Sequence, residues 1–564
     1  MSRPLMWVAG IVALAVCLAA AYGAYVLAGY SWYQVVSYRT PFGDYDRPWA
    51  ADPLPSGTPA AADAPRAVLV MIDGLRADVT DEMPNYQTLR QYGADMVAVT
   101  PEPSLSYPTW TTILSGATPD ISGVTTNWFD GAVPVETLID SALGEGLIVA
   151  VSAPDDFVTL YQADRAQATY FDTWAKEYRS GVYVDEAIDL ARAAEPSLLV
   201  VHLPDMDEAG HDYGGASDEY LQMARRIDAE IQRLVRALQD DRTLFVITAD
   251  HGHLDAGGHG GWESVVRQVP ALFIGQASSV ERGEISQTDI APTIAAFLDI
   301  PIPAHAEGDI RTELLLPDAV EPGVADEHAR QFASGYLSAL GASDAAPAES
   351  ASAQTIDVVL TNARAERLAA ERSERLPMAL ALGAVALLAL VAIFALSWRA
   401  GVAAAAGTLA YYLVYNALYF VVHGYRWSLS AFNTEEFVQR FFYLRMAEAA
   451  VAGVLAAAVA ALVYPLLRTD PKGPRQRGYL AGWLALGPAT ILAIMATLAF
   501  QVVWFLWAWG ADVVWRLPDL RWGFKYDLDL TQMTALGAAA LLAPVVTYLV
   551  GRFHPKTRTR TAEE

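Results

Sequence analysis

Six separate apolar runs set the first limit on what this chain can fold into. They cover residues 5–29, 377–397, 401–423, 444–467, 479–509 and 533–550, whereas residues 31–376 contain none. Each run is near or above the ~20 residues that a helix needs to cross a hydrocarbon layer. The first is longer than the roughly 7 to 15 apolar residues of a signal peptide, which favours an uncleaved anchor. The pattern predicts an integral membrane protein with one N-terminal span, five C-terminal spans and a large domain between them.

The positions of the cations predict the orientation of these spans. Arg3 precedes the first span and Arg399 lies between the second and third. Two basic groups follow the fourth and the sixth spans: Arg468, Lys472, Arg475 and Arg477, then Arg552, Lys556, Arg558 and Arg560. Short loops rich in Lys and Arg stay cytoplasmic, and with six spans all four sites fall on one side. We therefore expect both termini in the cytoplasm and residues 31–376 on the opposite, extracytoplasmic side of the cell membrane.

Charge and cysteine content exclude several classes of function. The chain has 38 Lys and Arg against 64 Asp and Glu, a net charge of −26, so we expect no nucleic-acid polymer as a partner. The one cysteine, Cys17, lies in the first apolar run. The outer domain therefore has no disulfide, no thiolate zinc site and no cysteine nucleophile.

The region between the membrane runs has the pattern of an α/β domain. Residues 31–65, rich in Pro, Gly and Ala, follow the anchor (1–30) and read as a stalk. Apolar runs with polar ends then alternate with helical patterns: RAVLVMID, LIVAVSAP, SLLVVHLPD, TLFVITADHG and ALFIG. This alternation predicts a largely parallel sheet flanked by helices over residues 66–312. A helical linker (313–376) and a five-span domain (377–564) complete the predicted organisation.

Candidate metal ligands lie at what we take as four strand ends. They are Asp73, then Asp207 with His211, then Asp250 with His251, and finally His259. Taken singly, such an Asp is more often a helix cap and such a His a buried ring, but together they suit Zn²⁺ or a similar divalent ion. Two tetrahedral ions have eight ligand positions, so if the nucleophile Ser106 completes one shell and a substrate group the other, these six residues with Ser106 make the seven protein ligands needed.

Ser106 stands in EPSLSYPTWTTILSG, residues 102–116. The simplest interpretation of this Ser-Tyr-Pro stretch is a turn with a helix N-cap. The alternative is a nucleophile, because coordination to a divalent cation stabilises the alkoxide of a serine.

Five ordered blocks carry a resemblance to a known family. VMIDGLRAD, SLSYPTWTTILSGATPDISGVTTNW, DEAGHDYGG, ITADHGH and GGHGG resemble the alkaline phosphatase superfamily, in its type I phosphodiesterase and nucleotide pyrophosphatase branch. QTDIAPTIAAFLDIPIPAHAEGDI is similar to the segment that closes the catalytic domain in the ethanolamine phosphate transferases of glycosylphosphatidylinositol anchor synthesis. The resemblance covers about residues 66–312 and implies an alkaline-phosphatase-like catalytic domain.

The resemblance also implies roles for individual residues. One metal ion would be held by Asp73, Ser106, Asp250 and His251, and the other by Asp207, His211 and His259. Ser106 would be the nucleophile and would form a phosphoserine intermediate. Asn127 matches an asparagine that contacts a non-bridging phosphate oxygen in the phosphodiesterases, where the transferases have Gly, so the branch stays open. Apart from the resemblance, His253 is expected only to neighbour the metal loop, and His202 only to support the Asp207 loop.

These features predict an enzyme with two divalent ions, expected to be Zn²⁺, that acts on phosphodiesters such as lipid headgroups or nucleotides. A phosphomonoesterase or sulfatase of the same fold is the first alternative, although SLSYPTW lacks the Arg of a sulfatase motif. A non-catalytic membrane binding protein is the second, against which the intact ligand set argues. Hydrolysis and transfer both remain open, and the five later spans either present a membrane lipid or only anchor the domain.

Overall fold

The computed structural model describes residues 3–43, 45, 64–173, 177–280, 282–345, 347–348, 350–432, 438–467 and 477–553. Residues 46–63 of the predicted stalk lie outside the described residues, as do several cations used for the orientation: Arg468, Lys472, Arg475, Lys556, Arg558 and Arg560. The first apolar run forms one continuous helix, α1 (Arg3–Val36), with Cys17 buried in it.

Eight strands form a single sheet in the order β4-β3-β5-β1-β6-β7-β2-β8. Their bounds are β1 Arg66–Ile72, β2 Gly93–Val99, β3 Val149–Pro154, β4 Ala168–Asp172, β5 Leu198–Leu203, β6 Thr243–Ala249, β7 Gln268–Gly275 and β8 Glu284–Ser286. Every neighbouring pair is parallel except the two that include β7. The predicted α/β fold with a largely parallel sheet is confirmed.

The ALFIG run, which we grouped with the parallel strands, lies in the antiparallel β7. The segment between β6 and β7 contains only one short helix, so no long crossover returns the chain to the opposite edge of the sheet before β7 begins. The polar end of β7 therefore points away from the edge where β1, β5 and β6 end.

The central strands are buried throughout. All residues of β1, β5 and β6 are buried, which explains why their sequences are almost entirely apolar, because a strand covered on both faces has no solvent side. The flanking helices are α2 Pro84–Leu89, α3 Ser106–Ser115, α4 Pro119–Ser122, α5 Leu138–Gly144, α6 Asp156–Tyr161, α7 Ser180–Ala194, α8 Asp205–Tyr213, α9 Asp218–Leu238, α10 Ser264–Arg267 and α11 Ile290–Phe297.

Six longer helices follow in the part of the chain that the structure describes: α12 Val324–Ala339, α13 Ala353–Leu396, α14 Trp398–Asn416, α15 Val438–Val463, α16 Arg477–Ala508 and α17 Leu520–Phe553. Together with α1, the last five are long and apolar enough to cross a membrane, which confirms the six predicted spans and indicates an integral membrane protein. The linker helix predicted to precede the second span is continuous with it, because α13 runs through Pro377. α17 begins before the predicted 533, and the pairing of Lys525 with Asp529 accommodates charged residues in its first turns.

The linker packs against the α/β domain. Phe332 and Tyr336 of α12 and Ile356 of α13 form one apolar cluster with Ile121 of α4. Arg364 of α13 pairs with Glu307 at 3.1 Å. These contacts fix the long helix α13, and through it the membrane helices, against the domain that carries the candidate ligands.

Candidate active site

The candidate ligands meet because three strands are neighbours. Asp73 follows β1, Asp207 lies in α8 after β5, and Asp250 and His251 follow β6 directly. β1 pairs with β5 on one side and β6 on the other, so their carboxyl ends converge at one edge of the sheet. The sequence predicted that four strand ends supply these residues, but the structure has three. His259 lies in the loop that follows β6, not at the end of a separate strand.

The first cluster consists of Asp73, Asp250 and His251. His251 Nε2 lies 3.4 Å from Asp73 Oδ1 and 3.3 Å from Asp250 Oδ2. The Asp250 carboxylate is held by the backbone N–H of Gly74 at 2.9 Å and the indole N–H of Trp110 at 2.8 Å. All three ligand side chains are buried.

The second cluster consists of Asp207, His211, His253 and His259. Asp207 Oδ2 lies 3.3 Å from His211 Nε2, and Asp207 Oδ1 lies 2.7 Å from His253 Nε2 and 3.6 Å from His259 Nε2. The Nε2 atoms of His211 and His259 are 3.2 Å apart. His253, expected only to neighbour the metal loop, therefore belongs to the cluster itself.

Both clusters fit a divalent metal ion. At ligand distances of about 2.0 to 2.1 Å, tetrahedral coordination places the ligand atoms about 3.3 Å from one another. The His251 contacts to Asp73 and Asp250 have this length, as do two of the contacts around His211. Neither carboxylate oxygen of Asp73 has a hydrogen-bond partner among the described residues, although the side chain is fully buried. A buried carboxylate without donors is costly unless a cation compensates it.

The electrostatics differ between the two clusters. Burial raises the pKa of Asp73, with Asp250 adding repulsion, and burial raises the pKa of Asp250 to about 7. Burial also acts on Asp207, but attraction and hydrogen bonding from His211, with a hydrogen bond from His253, outweigh it and hold the Asp207 pKa well below its usual range. Burial lowers the pKa of His251 and His253 to about 4, so both rings are neutral at physiological pH.

Close approach of the strand ends depends on Gly74. Its φ is +77°, and a Cβ there would lie 2.8 Å from Asp207 Cα. A side chain at this position would be strained and would push α8 away from β1. Gly74 thus sets the separation between Asp73 and Asp207.

Ser106 is the first residue of α3, with its side chain buried next to the first cluster. The N-cap position belongs to Leu105 and carries no side-chain capping bond, so the Ser106 hydroxyl is not used as a helix cap. Ser106 Oγ lies 3.5 Å from His251 Nε2 and 3.5 Å from the amide nitrogen of Asn127. The Asn127 oxygen accepts from the Tyr107 N–H at 2.9 Å, which directs its NH₂ group toward Ser106.

Sequence reasoning missed or misplaced three residues around the ligands. His202, expected to support the Asp207 loop, has its Nε2 3.4 Å from Asp73 Oδ2. Trp110 carries the only indole bonded to Asp250 in the described chain. For His253 the DHGH spacing was a usable signal, because alternate residues of an extended segment share a face.

A cavity of about 960 Å³ opens beside the second cluster. His211 and His259 line it together with residues of the membrane helices, among them Ala28 of α1, Phe442 of α15 and Tyr526 of α17. Its volume is at the upper end of the range of about 300 to 1,000 Å³ for small-molecule sites. The candidate active site is therefore continuous with the inside of the membrane bundle.

Comparison with known families confirms the resemblance seen in the sequence. Residues 67–137 and 150–269 match the family Type I phosphodiesterase / nucleotide pyrophosphatase. These segments contain all the proposed ligands together with Ser106 and Asn127.

Several curated relatives are similar over the same region. The chain is 25% identical over 309 residues to GPI ethanolamine phosphate transferase 1 of Mus musculus, covering 45% of this chain and 33% of that protein. It is 25% identical over 318 residues to the catalytic subunit of GPI ethanolamine phosphate transferase 3 of Homo sapiens, covering 49% and 28%. The chain thus spans about a third of the length of these relatives.

Two solved structures are similar to part of the chain. Murine ectonucleotide pyrophosphatase / phosphodiesterase 5 covers 44% of this chain and all of its own (100%), with a TM-score of 0.39 and 14% identity. Alkaline phosphatase PafA covers 45% of this chain and 100% of its own, with a TM-score of 0.38 and 13% identity.

Proposed function

Because residues 67–137 and 150–269 match the type I phosphodiesterase and nucleotide pyrophosphatase family, we propose that this chain is a membrane-embedded phosphodiesterase or phosphotransferase acting on a lipid phosphodiester. The observation that carries the proposal is the cavity that joins His211 and His259 to the membrane helices. A water-soluble substrate does not need such a connection, whereas a lipid headgroup must reach the site while its acyl chains stay in the membrane.

In this proposal Ser106 is the nucleophile and the two clusters hold two divalent ions. Asp73, Asp250 and His251 would hold one ion beside Ser106. Asp207, His211 and His259 would hold the other, with His253 bonded to Asp207. When bound, the ions supply positive charge that lowers the pKa of the Ser106 hydroxyl and of the acceptor hydroxyl.

The reaction then follows from the positions of the chain's own groups. Ser106 Oγ forms a bond to phosphorus, and one ester P–O bond breaks so that the leaving alcohol takes up a proton. The Asn127 NH₂ group, 3.5 Å from Ser106 Oγ, donates to a non-bridging phosphate oxygen as it gains charge. In the second step the hydroxyl of water or of an acceptor attacks the phosphoserine and releases Ser106.

Transfer to an acceptor is favoured by the relatives, which are named GPI ethanolamine phosphate transferases. The cavity offers space for a lipid acceptor on the side of the second cluster. Hydrolysis of a small nucleotide diester is the second candidate, and Asn127, which matches the phosphodiesterases, favours it.

We propose further that residues 66–312 form the catalytic domain and face the outside of the cell membrane. The orientation can be tested by cysteine labelling, because the single native cysteine, Cys17, is buried in α1. Tyr92→Cys would place a thiol at a side chain that is 71% exposed on the α/β domain. Labelling of intact cells by a membrane-impermeant maleimide is expected, and labelling only after lysis would contradict the orientation.

The substrate is tested with the full-length protein on a small nucleotide diester and on phospholipid in detergent micelles. Products are analysed for free and for transferred phosphoryl headgroup. Ala28→Trp narrows the cavity from α1, and Val26→Trp, on a side chain that is 50% exposed on the same helix, is the matched control. We expect Ala28→Trp to lower the lipid rate at least tenfold, by about 1.4 kcal/mol of lost transition-state binding, and to spare the diester rate. Equal lipid rates for the two variants would contradict a lipid route through the cavity.

A further inference from the structure

A loop of the membrane domain is hydrogen-bonded to the loop that carries His259. We call residues 424–432, which follow the third span, the membrane loop, and residues 257–263 the His259 loop. The hydroxyls of Ser428 and Ser430 both donate to Glu263 Oε2 at 2.9 Å. The backbone N–H of Gly261 donates to Ser430 Oγ at 3.0 Å, so the two serines hold both the side chain and the backbone of the His259 loop.

These contacts are shielded from water. Glu263 is 5% exposed, Ser428 2% and Ser430 3%. Nearby, the indole N–H of Trp262 donates to the Trp427 carbonyl at 2.9 Å. Buried hydrogen bonds to a carboxylate are among the stronger ones, because each group loses its hydration if its partner is removed.

The backbone of the His259 loop is shaped for this contact. Gly258 has φ +94°, and a Cβ there would lie 2.6 Å from the Ser430 carbonyl oxygen. A Cβ on Gly261 would lie 1.8 Å from Ser428 Oγ. The two loops could not come this close with side chains at these positions.

The other side of the His259 loop is bound to the segment that leads to the nucleophile. Ser104 and Gly260 form an antiparallel bridge, with the Ser104 N–H donating to the Gly260 carbonyl at 3.3 Å. The Ser104 hydroxyl donates to the Gly261 carbonyl at 2.9 Å, and the Ser104 carbonyl lies 3.1 Å from His259 Nδ1. The His259 loop is therefore layered between the membrane loop and the residue two positions before Ser106.

We propose that Ser428, Ser430 and Glu263 are positioning residues that let the membrane domain set the geometry of His259 in the second cluster. The proposal rests on the proposed metal-dependent function. It gives the membrane domain a second role, the positioning of His259, besides the binding of a lipid. Outer groups that orient a metal ligand typically change metal affinity by about 10- to 100-fold when removed. Loss of the hydrogen bonds from Ser428 and Ser430 to Glu263 should accordingly lower the affinity for the ion at Asp207, His211 and His259. The ion at Asp73, Asp250 and His251 should stay bound.

The test uses full-length protein in detergent. Zinc per chain is measured against a graded chelator for Ser428→Ala with Ser430→Ala, for Glu263→Ala and for Glu263→Gln. We expect the serine double variant and Glu263→Ala to lose one of two ions at about 10-fold lower chelator concentration, and Glu263→Gln, which keeps an accepting oxygen, to remain close to wild type. Thr408→Val removes a hydroxyl bonded only to its own helix backbone and serves as the control.

A second measurement does not depend on metal. Hydrogen–deuterium exchange of peptides that contain residues 257–263, in metal-free protein, should be at least about tenfold faster in the serine double variant than in wild type and in Thr408→Val. Wild-type affinity for both ions in the double variant and in Glu263→Ala, equal loss of both ions, or unchanged exchange would each overturn the proposal. Wild-type protein that binds no divalent ion would instead contradict the proposed function. The exchange measurement would still decide whether Ser428 and Ser430 hold the His259 loop in place.

Discussion

The imidazole rings of His251 and His259 stack face to face, with centroids 3.8 Å apart and planes inclined by 9°. One ring belongs to the first cluster and the other to the second. The stack places the two clusters side by side. His251 also lies next to Ser106, with its Nε2 3.5 Å from Ser106 Oγ.

Replacement of the nucleophile should stop the reaction without emptying the site. We expect Ser106→Ala to lower kcat by several powers of ten, because a covalent step cannot be replaced by binding alone. Metal content should stay near wild type, since three ligands of the first cluster remain. Ser106→Thr keeps a hydroxyl and is the matched control. Turnover by Ser106→Ala above about a hundredth of the wild-type rate would exclude Ser106 as the nucleophile.

Each cluster should hold one ion. Purified protein should contain about two divalent ions per chain, and Asp73→Asn or Asp207→Asn should each reduce this to about one. Asp212→Asn changes an exposed carboxylate on α8 and should leave both ions bound. Prolonged chelation should abolish activity and zinc should restore it. Full activity in protein shown to be free of metal would rule out the mechanism.

The two ions should leave at different pH. Because burial raises the pKa of Asp73, and that of Asp250 to about 7, protons compete with the first ion as the pH falls through neutrality. The Asp207 pKa lies well below its usual range and burial holds the His259 pKa well below its usual range, so protons compete with the second ion at these two residues only in more acidic solution.

Zinc per chain, measured with a weak chelator, should therefore fall from two to one between about pH 7 and pH 5. Asp207→Asn, which keeps only the first ion, should lose it over the same interval. Retention of that ion below about pH 5 would show that the assignment of the two steps is wrong.

Removal of the Asn127 amide should affect turnover more than binding. An oxyanion donor contributes about 3 kcal/mol, so Asn127→Ala should lower kcat by about 100- to 1,000-fold with a smaller change in KM. Asn127→Asp places a carboxylate near the phosphate and should be at least as damaging. An increase in KM with kcat unchanged would mean that Asn127 contributes only to ground-state binding.

The membrane spans, and most of the residues that the structure brings together in the two clusters, were predictable from the sequence. Length and apolarity are local properties, so the membrane helices were readable without knowledge of their neighbours, apart from the fusion of the linker with the second span in α13. The runs that became β1, β5 and β6 are almost entirely apolar because both faces of each strand are covered, and Asp73, Asp207 and Asp250 follow their ends.

Which of these residues come into contact depends on the tertiary structure. That β1 lies between β5 and β6 depends on pairing between segments more than a hundred residues apart, which no local pattern encodes. The same holds for the bond of His253 to Asp207, for the reversed direction of β7 and for the contact of Ser428 and Ser430 with Glu263. A local sequence pattern shows whether a residue is buried or exposed. A site also depends on which distant segments of the chain pack against that residue, and a local pattern does not contain this information.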